Sequence, residues 1–260
     1  MIHSLTNIHP NARIADGVTV ESFTTISGDV EIGEGTWIGP SVTIMDGARI
    51  GKNCKIFPGA VISAIPQDLK YKGEETHAFI GDNVLIRECV TVNKGTAALG
   101  YTKVGNNCLL MAYVHIAHDC VVGNSAILVN SVGLAGEITV GDFAYIGGQV
   151  GVHQFVNIGA HTMVQGGTLV GKDIPPFVMA GRYPVQYTGL NNIGLRRRGF
   201  DSERIDQIHE VYRMIYNQGM NTSQALEEVE KTLPASADRD EIISFIKKSK
   251  RGIVKGYLED

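Results

Sequence analysis

Aliphatic residues recur at every sixth position along most of this chain, and no other feature of the sequence limits the possible folds so strongly. A small or β-branched residue follows most of these positions four residues later, as at Ala12, Cys54 and Ala126. A helix repeats about every 3.6 residues and an ordinary strand about every 2 residues, so neither produces this spacing. The series is Ile2, Ile8, Ile14, Val20, Ile26, Ile32, Ile38, Ile44, Ile50, Ile56 and Ile62, then Ile80, Ile86 and Val92, and then the sixth positions from Val104 to Val170.

A period of six residues predicts an all-β left-handed parallel β-helix built from hexapeptide repeats. Each hexapeptide supplies one short strand and one corner, and three hexapeptides complete a triangular coil. The aliphatic side chains point into the prism, and the small residues fit beside them. Successive coils stack about 4.8 Å apart, so residues three hexapeptides apart lie above one another.

The repeat divides the chain into a β-helix over residues 1–190 and a small α-helical C-terminal domain over residues 191–260. Two polar stretches interrupt the hexapeptides, and we predict inserted loops at 64–79 and 97–103. Insertions in a solenoid collect on one side, which is often the binding side. The predicted helix starts are Asp201 or Ser202, Thr222 and Asp238, with a stop at Gly219.

Composition excludes several classes of protein. The net charge is −4, so no bulk charge favours nucleic acid. No run of about 18 apolar residues predicts a membrane span. The first residues, MIHSLTNIHP, resemble no signal peptide, and we expect a cytoplasmic protein. The cysteines Cys54, Cys89, Cys108 and Cys120 form no CxxC pair and are predicted to be reduced, with three of them at inward positions.

One coil of the predicted β-helix carries side chains of the types used in catalysis. The hexapeptide phase points Ile116 and Cys120 inward, so His118 and Asp119 lie at a corner outside the packed prism, with His115 beside them. Gly136 and Gln154 stand in the column above His118, and His153 and His161 lie on later rungs at positions outside the core. A lone exposed histidine would be a surface residue. This cluster instead predicts a functional site.

The cluster suits acyl transfer. A neutral histidine accepts a proton from a hydroxyl or amine nucleophile, and a neighbouring carboxylate holds its tautomer. An adjacent backbone N–H stabilises the oxyanion. No serine or cysteine nucleophile stands in a motif, so direct transfer is the simpler chemistry. The alternative is a histidine-bound zinc, as in hexapeptide carbonic anhydrases, which would leave the PQDLK and RRRGF segments unexplained.

Four segments resemble the bacterial UDP-N-acetylglucosamine 3-O-acyltransferases, the acyl-carrier-protein-dependent first enzymes of lipid A biosynthesis. They are 66–71 (PQDLKY), 115–120 (HIAHDC), 146–155 (IGG to VHQF) and 191–200 (ending LRRRGF). The similarity extends over essentially the whole chain. The resemblance implies transfer of an (R)-3-hydroxyacyl chain from acyl carrier protein to the 3-OH of UDP-N-acetylglucosamine. It also implies a homotrimer with no metal and no cofactor, because the carrier's own phosphopantetheine holds the acyl group.

The resemblance also assigns roles to residues. It implies that His118 is the general base, that Asp119 orients its imidazole, and that the N–H of Gly136 stabilises the oxyanion. The guanidinium fork of arginine suits a diphosphate. The substrate contacts that it implies are Gln67, Asp68, Lys70, His115, His153, Gln154, Asn191, Arg197 and Arg198.

Three positions depart from the pattern usual in that family. Glu137 and Asn93 stand where histidines are frequent, and Ile193 stands where an acidic residue is frequent. The sequence leaves open the acyl length and whether the acceptor carries 3-OH or 3-NH₂. A coenzyme A-dependent hexapeptide transferase also stays open. The related N-acyltransferase carries an extra N-terminal uridine-binding domain, whereas the hexapeptides here begin at Ile2.

Overall fold

The computed structural model describes residues 1–217 and 219–256, and it confirms the predicted left-handed β-helix with a helical C-terminal region. The aliphatic ladder fills the prism, with Ile38, Ile44 and Leu110 among its fully buried members. Ile2 differs, because it lies at the open first coil and is 52% exposed. Cys54, Cys108 and Cys120 are buried in the prism, as predicted, and all four cysteines are free thiols.

The described residues form three sheets, which we number in the order in which the chain meets them. Sheet 1 contains Asn7–Ile8, Thr25–Ile26, Thr43–Ile44, Val61–Ala64, Thr91–Asn93, His115–Ile116, Gly133–Leu134, Gly151–Val152 and Leu169–Val170. Sheet 2 contains Arg13–Ile14, Val30–Ile32, Ala48–Ile50, His77–Ile80, Tyr101–Val104, Val121–Val122, Thr139–Val140 and Asn157–Ile158. Sheet 3 contains Thr19–Val20, Trp37–Ile38, Lys55–Ile56, Leu85–Ile86, Leu109–Leu110, Ile127–Leu128, Tyr145–Ile146, Met163–Val164, Val178–Gly181 and Gln186–Leu190.

The corners between the sheets carry the residues that the core does not use. We call them corner 1/2, corner 2/3 and corner 3/1 after the sheets that they join. Most corners turn the chain through one residue in the left-handed conformation. At corner 1/2 these residues include Asp119, Glu137 and Phe155, with φ of 59°, 61° and 69°. Side chains therefore stack in columns along each corner, in register with the strands.

The first inserted loop, 65–76, is shorter than predicted, and the second, 94–100, has the predicted length but begins three residues earlier. His77–Ile80 pairs with Ala48–Ile50, and Tyr101–Val104 pairs with His77–Ile80, so the strands resume inside the predicted loop ranges. Pairing with the preceding coil satisfies the backbone groups of these residues. The two loops also contact each other, because the Thr76 hydroxyl donates to the Gly95 carbonyl at 2.6 Å.

The coil continues beyond Val170, the last sixth position of the aliphatic series, and past two prolines. Pro175 and Pro176 lie in the corner after Ile174, where a missing N–H costs no ladder bond. Val178–Gly181 then pairs in parallel with Met163–Val164, and Gln186–Leu190 adds an antiparallel edge to sheet 3.

Four helices follow within the described residues. They are α1 (Asn192–Arg197), α2 (Ser202–Asn217), α3 (Thr222–Thr232) and α4 (Ala237–Lys248). The three predicted helices are confirmed to within one residue at their starts, and α1 was not predicted. Asn191, Asn221 and Ser236 cap α1, α3 and α4 through side-chain hydrogen bonds. The buried hydroxyl of Tyr212 donates to the Pro176 carbonyl at 2.6 Å and fixes α2 on the end of the coil.

Candidate active site

His118 lies at corner 1/2, directly after the strand His115–Ile116. Its Nδ1 is 2.8 Å from Asp119 Oδ2. The two residues lie outside the packed prism, as predicted, but they are only 7% and 3% exposed, so they are not surface groups. A carboxylate only accepts hydrogen bonds, and we therefore assign the proton of the neutral imidazole to Nδ1. This leaves Nε2 as an acceptor.

The Asp119 carboxylate is held by the second inserted loop. Thr96 donates to it twice, through its hydroxyl at 2.6 Å to Oδ2 and through its backbone N–H at 3.0 Å to Oδ1. The Leu99 N–H also donates to Oδ1, at 3.2 Å. On the other side, the Asp119 N–H donates to the buried Thr102 hydroxyl at 2.8 Å. The carboxylate therefore has one defined orientation, facing His118.

Gly136 lies one coil further along, on top of the His118 ring. A Cβ added at Gly136 would overlap the ring at Cε1 and Nε2. The Gly136 carbonyl accepts from Phe155 N–H at 3.2 Å, whereas its own N–H donates to no acceptor within the described part of the chain. The position next to Nε2 is therefore open, and it offers a free backbone donor.

The first inserted loop places Asp68 beside the histidine. Asp68 Oδ2 is 3.9 Å from His118 Nε2. The Lys70 N–H donates to Asp68 Oδ1 at 2.9 Å, which orients the carboxylate through a local turn. The side chains of Gln67 and Lys70 are exposed on the same loop. Of these three predicted substrate contacts, Asp68 lies beside His118, and Gln67 and Lys70 belong to the same loop.

Further along corner 1/2, Gln154 Nε2 donates to Glu137 Oε1 at 3.3 Å. Glu137 is one of the departures from the family pattern, and here it orients a predicted substrate-binding amide. The His153 ring is exposed and its Nδ1 lies 3.0 Å from the Gln154 carbonyl. These residues extend the site from His118 towards the helical region.

An apolar groove runs along sheet 1 from the same corner. His115 is at one end, with its Nδ1 2.7 Å from the Thr91 hydroxyl, and burial lowers the pKa of His115. The outward positions of the next two strands are Gly133 and Gly151, which leave the sheet surface bare. The other lining residues are Leu134, Ala135, Val152, His153, Leu169, Val170, Gly171 and Tyr183.

Asn191, Arg197 and Arg198 lie elsewhere, at corner 2/3. The Asn191 amide donates to the His161 carbonyl at 2.9 Å and its Oδ1 caps α1, so this residue positions α1. The Arg198 guanidinium lies 5.1 Å from the centre of the Phe143 ring. Arg197 is exposed at the last residue of α1. In one chain, these residues belong to a different corner from His118.

Aromatic rings stack along corner 2/3. The His161 ring lies between the rings of Phe143 and Phe177, with centroid distances of 4.9 Å and 5.7 Å. Burial, together with the charge of Arg198, lowers the pKa of His161 to about 4. His161 therefore stays neutral near pH 7, and the stack supports Arg198 through its ring faces.

Sequence reasoning missed the contacts of Thr96. This residue follows Lys94 and Gly95 in a gap of the hexapeptide series, and a gap predicts a loop without predicting which coil the loop packs against. Its only signal was its position next to an insertion. Hydrogen bonding across 23 residues of sequence gives it a place at the site.

The fold and the corner 1/2 geometry define a class of protein, the hexapeptide-repeat acyltransferases. A buried His–Asp pair, an open Nε2, a free backbone N–H and an apolar groove are the groups that acyl transfer requires. No helix among residues 1–217 and 219–256 is both long and apolar enough to cross a bilayer. Over the same ranges, no three His, Cys, Asp or Glu side chains converge as metal ligands do.

Comparison with known proteins gives the family. Residues 173–254 match the model for domain 2 of UDP-N-acetylglucosamine O-acyltransferase, and residues 29–64 and 101–136 match the bacterial transferase hexapeptide model. The acyl-[acyl-carrier-protein]–UDP-N-acetylglucosamine O-acyltransferase of Chlorobaculum parvum is 56% identical, over 95% of this chain and 97% of that protein. The chain belongs to the UDP-N-acetylglucosamine O-acyltransferase family.

Solved structures agree with this assignment. The UDP-N-acetylglucosamine acyltransferase of Bacteroides fragilis is 52% identical and superimposes with a TM-score of 0.96, covering 98% of this chain and 100% of that one. The enzyme of Francisella novicida is 42% identical, with a TM-score of 0.95 over 98% of this chain and 94% of that one. Both similarities include the coil and the helical region.

Proposed function

We propose that this chain transfers an (R)-3-hydroxyacyl group from acyl carrier protein to the 3-OH of UDP-N-acetylglucosamine, the first step of lipid A biosynthesis. Near-full-length relatives carry the names of acyl-carrier-protein-dependent O-acyltransferases. The observation that carries the proposal is the open Nε2 of His118, which lies between Asp68 and Gly136. The 3-amino-sugar and coenzyme A-dependent alternatives have no comparable support.

The reaction follows from these groups. His118 Nε2 takes the proton of the sugar 3-OH while the hydroxyl oxygen attacks the thioester carbonyl carbon. Asp119 keeps the proton on Nδ1 and stabilises the imidazolium that forms. The Gly136 N–H donates to the oxyanion of the tetrahedral intermediate. The carbon–sulfur bond then breaks, and the carrier's thiolate takes the proton back from His118.

The groove on sheet 1 fits the acyl chain. It begins at His115, next to the catalytic corner, its lining is mostly apolar, and the absence of side chains at Gly133 and Gly151 gives it depth. Burying methylene groups there gains about 0.8 kcal/mol each. The groove therefore supports a long hydrocarbon substituent on the donor, which a small acyl group such as acetyl would not fill.

The outer face of sheet 3 supports a trimer. From Leu85 onward, its outward column, in register from strand to strand, is apolar: Leu85, Leu109, Ile127, Tyr145, Met163 and Met179. The corresponding positions of sheet 2 are mixed, with Arg49, Lys103 and Thr139 beside Phe79 and Val121. An apolar column of this length on one face of a prism indicates an interface between subunits.

A threefold interface of this kind would bring together the two groups of predicted site residues, which lie at different corners of one chain. In a closed trimer, sheet 3 of each prism packs against sheet 1 of the next, and sheet 2 faces outward. Corner 1/2 of one subunit then lies beside corner 2/3 of its neighbour. His118 and Asp68 would face Asn191 and Arg198 of the next subunit, with the two arginine side chains, Arg197 and Arg198, near the diphosphate.

The carrier and the compartment complete the proposal. Lys248, Lys250 and Arg251 line a groove on sheet 2 together with Glu137 and Phe155, so a cationic surface borders the catalytic corner. Acyl carrier proteins are acidic, and this surface supports their docking. The four cysteines are free thiols, as expected in a reducing compartment such as the cytoplasm.

The test is a transfer assay with UDP-N-acetylglucosamine and 3-hydroxyacyl carrier proteins of several chain lengths, with products identified by mass spectrometry. We expect an O-acylated sugar nucleotide and free carrier thiol in equal amounts. Matched reactions replace the donor with 3-hydroxyacyl coenzyme A or the acceptor with its 3-amino analogue. A strong preference for either replacement would contradict the proposal and support the corresponding alternative.

A further inference from the structure

The second inserted loop forms a receptor for the Asp119 carboxylate. Thr96 is its central residue, because it is 8% exposed and supplies both a hydroxyl and a backbone donor. We propose that Thr96 is a positioning residue for catalysis, and that it acts on the transfer reaction only by orienting Asp119 and, through it, His118. This inference rests on the proposed function.

The geometry at Asp119 Oδ2 carries the inference. This one oxygen accepts from the Thr96 hydroxyl at 2.6 Å and lies 2.8 Å from His118 Nδ1. The Thr96 N–H donates to both oxygens, at 3.0 Å to Oδ1 and 3.2 Å to Oδ2, and the Leu99 N–H donates to Oδ1. Removing the hydroxyl takes away the shortest hydrogen bond to Oδ2, the oxygen that faces the imidazole, and leaves only the longer backbone bonds to hold it in place.

The local backbone explains why a threonine fits here. The Thr96 hydroxyl also accepts the Ala98 N–H at 3.2 Å, so its proton points towards Asp119 and not back into the loop. Thr96 is thereby fixed as a donor. The Thr76 hydroxyl donates to the neighbouring Gly95 carbonyl at 2.6 Å and ties this loop to the first inserted loop.

The position of Thr96 in the fold also fits this role. It belongs to the loop that interrupts the hexapeptide series between Thr91–Asn93 and Tyr101–Val104, and it contacts a residue of the next coil. Among the described residues, no hydrogen bond joins Thr96 to the His118 ring. Its effect on the reaction must therefore pass through Asp119, which makes the inference testable by removing Asp119.

The experiment compares Thr96→Val with Thr96→Ser. Valine keeps the shape and the backbone N–H but lacks the hydroxyl, whereas serine keeps the hydroxyl. We expect Thr96→Val to lower kcat about tenfold, the scale of one hydrogen bond to a charged group. The KM for UDP-N-acetylglucosamine should stay within about twofold, and Thr96→Ser should restore kcat to within about twofold. An unchanged kcat in Thr96→Val would overturn the inference.

A matched control tests for a general loss of packing. Thr24 is fully buried in an early coil, and its hydroxyl donates to the Gly39 carbonyl at 2.8 Å. Thr24→Val therefore removes a buried hydroxyl far from the site. We expect it to lower the melting temperature about as much as Thr96→Val while leaving kcat unchanged. A comparable fall of kcat in both variants would show that the effect is structural and would overturn the inference.

The decisive measurement is a double-mutant cycle with Asp119→Asn. If Thr96 acts through Asp119, Thr96→Val should cost less than about twofold in the Asp119→Asn background. An undiminished tenfold loss there would show an independent route and contradict the inference. Failure of the proposed function is separate, because it would appear as absent transfer by the wild-type enzyme.

Discussion

Corner 1/2 and corner 2/3 are built on the same repeat, and yet they hold their side chains by different forces. At corner 1/2, an insertion surrounds Asp119 with donors and a glycine covers His118. At corner 2/3, the chain has no insertion, and aromatic rings stack from coil to coil around His161. Hydrogen bonds fix direction, whereas stacked rings fix a surface. The first suits proton transfer and the second suits the support of a cation.

The comparison also shows how a solenoid makes a site. Columns along a corner place residues of successive coils about 4.8 Å apart, which is close enough for one ligand to contact several of them. A single prism nevertheless keeps its three corners apart. Chemistry that needs both kinds of corner must therefore join two chains.

The largest expected effect comes from removing the His118 side chain at corner 1/2. His118→Ala removes the proposed proton acceptor, and kcat should fall at least about 10²-fold. The protein should stay folded, because His118 lies outside the packed prism, and the melting temperature should fall only modestly through the loss of its contact with the buried Asp119. His209→Ala, on the exposed side of α2, is the matched control and should retain full activity. Near-normal turnover by a well-folded His118→Ala enzyme would refute the assignment of the base.

The second prediction tests whether corner 1/2 of one subunit and corner 2/3 of its neighbour form one site. His118→Ala and Arg198→Ala should each be nearly inactive, and the two proteins are then unfolded and refolded together in equal amounts. If the proposed trimer forms, random assortment gives mixed trimers in about three-quarters of cases, each with one intact site in three, so about a quarter of wild-type activity should return. Each variant refolded alone provides the baseline. Activity that stays at this baseline, with mixed trimers verified by mass, would contradict the shared site.

The third prediction concerns the docking of the acyl carrier protein, one of the two substrates. Lys248→Glu combined with Lys250→Glu reverses charge beside corner 1/2 and should raise the KM for the acyl carrier protein about fivefold at low salt. Salt screens such contacts over about 8–10 Å, so the difference from wild type should shrink as salt is added. Lys231→Glu, an exposed change on α3, is the control. If the KM for the carrier changes neither on charge reversal nor with salt, the carrier protein does not dock on this surface.

The smallest effect concerns corner 2/3 alone. An unfolded histidine has a pKa of about 6.5, whereas that of His161 is lowered to about 4. The unfolded chain therefore binds the proton more tightly between these values. The His161 contribution is fully present above about pH 6.5 and is lost as the pH falls towards 4. His161→Phe should flatten this part of the pH dependence of unfolding.

Phenylalanine suits the position because Phe143 and Phe177, in the same column, adopt similar left-handed backbone angles, with φ of 58° and 67°. Denaturant unfolding at pH 7 and pH 5 measures the difference. Equal losses of stability in the two proteins between these pH values would show that His161 is not the titrating group.

The sequence by itself determined the prism, the three later helices and the set of reactive residues at corner 1/2. Inward aliphatic side chains at a fixed period leave the chain one way to bury them, and residues in one column are neighbours in any such coil. His118, Asp119 and Gly136 were therefore predictable as a group. The position of Asn191, Arg197 and Arg198 at a different corner was not predictable. These residues follow the last hexapeptide, and beyond it the six-residue period no longer relates a residue's number to its place in the coil.

Only the tertiary structure decided what the loops and the last strands do. A loop obeys no period, so nothing in the sequence indicated that Thr96 reaches Asp119 in the next coil or that Asp68 stops 3.9 Å from His118. The short helix α1 formed where Asn191 could hold both the helix N-terminus and the His161 carbonyl. These contacts depend on backbone groups that only the folded chain brings together, which is why the repeat alone could predict the place of the site but not its geometry.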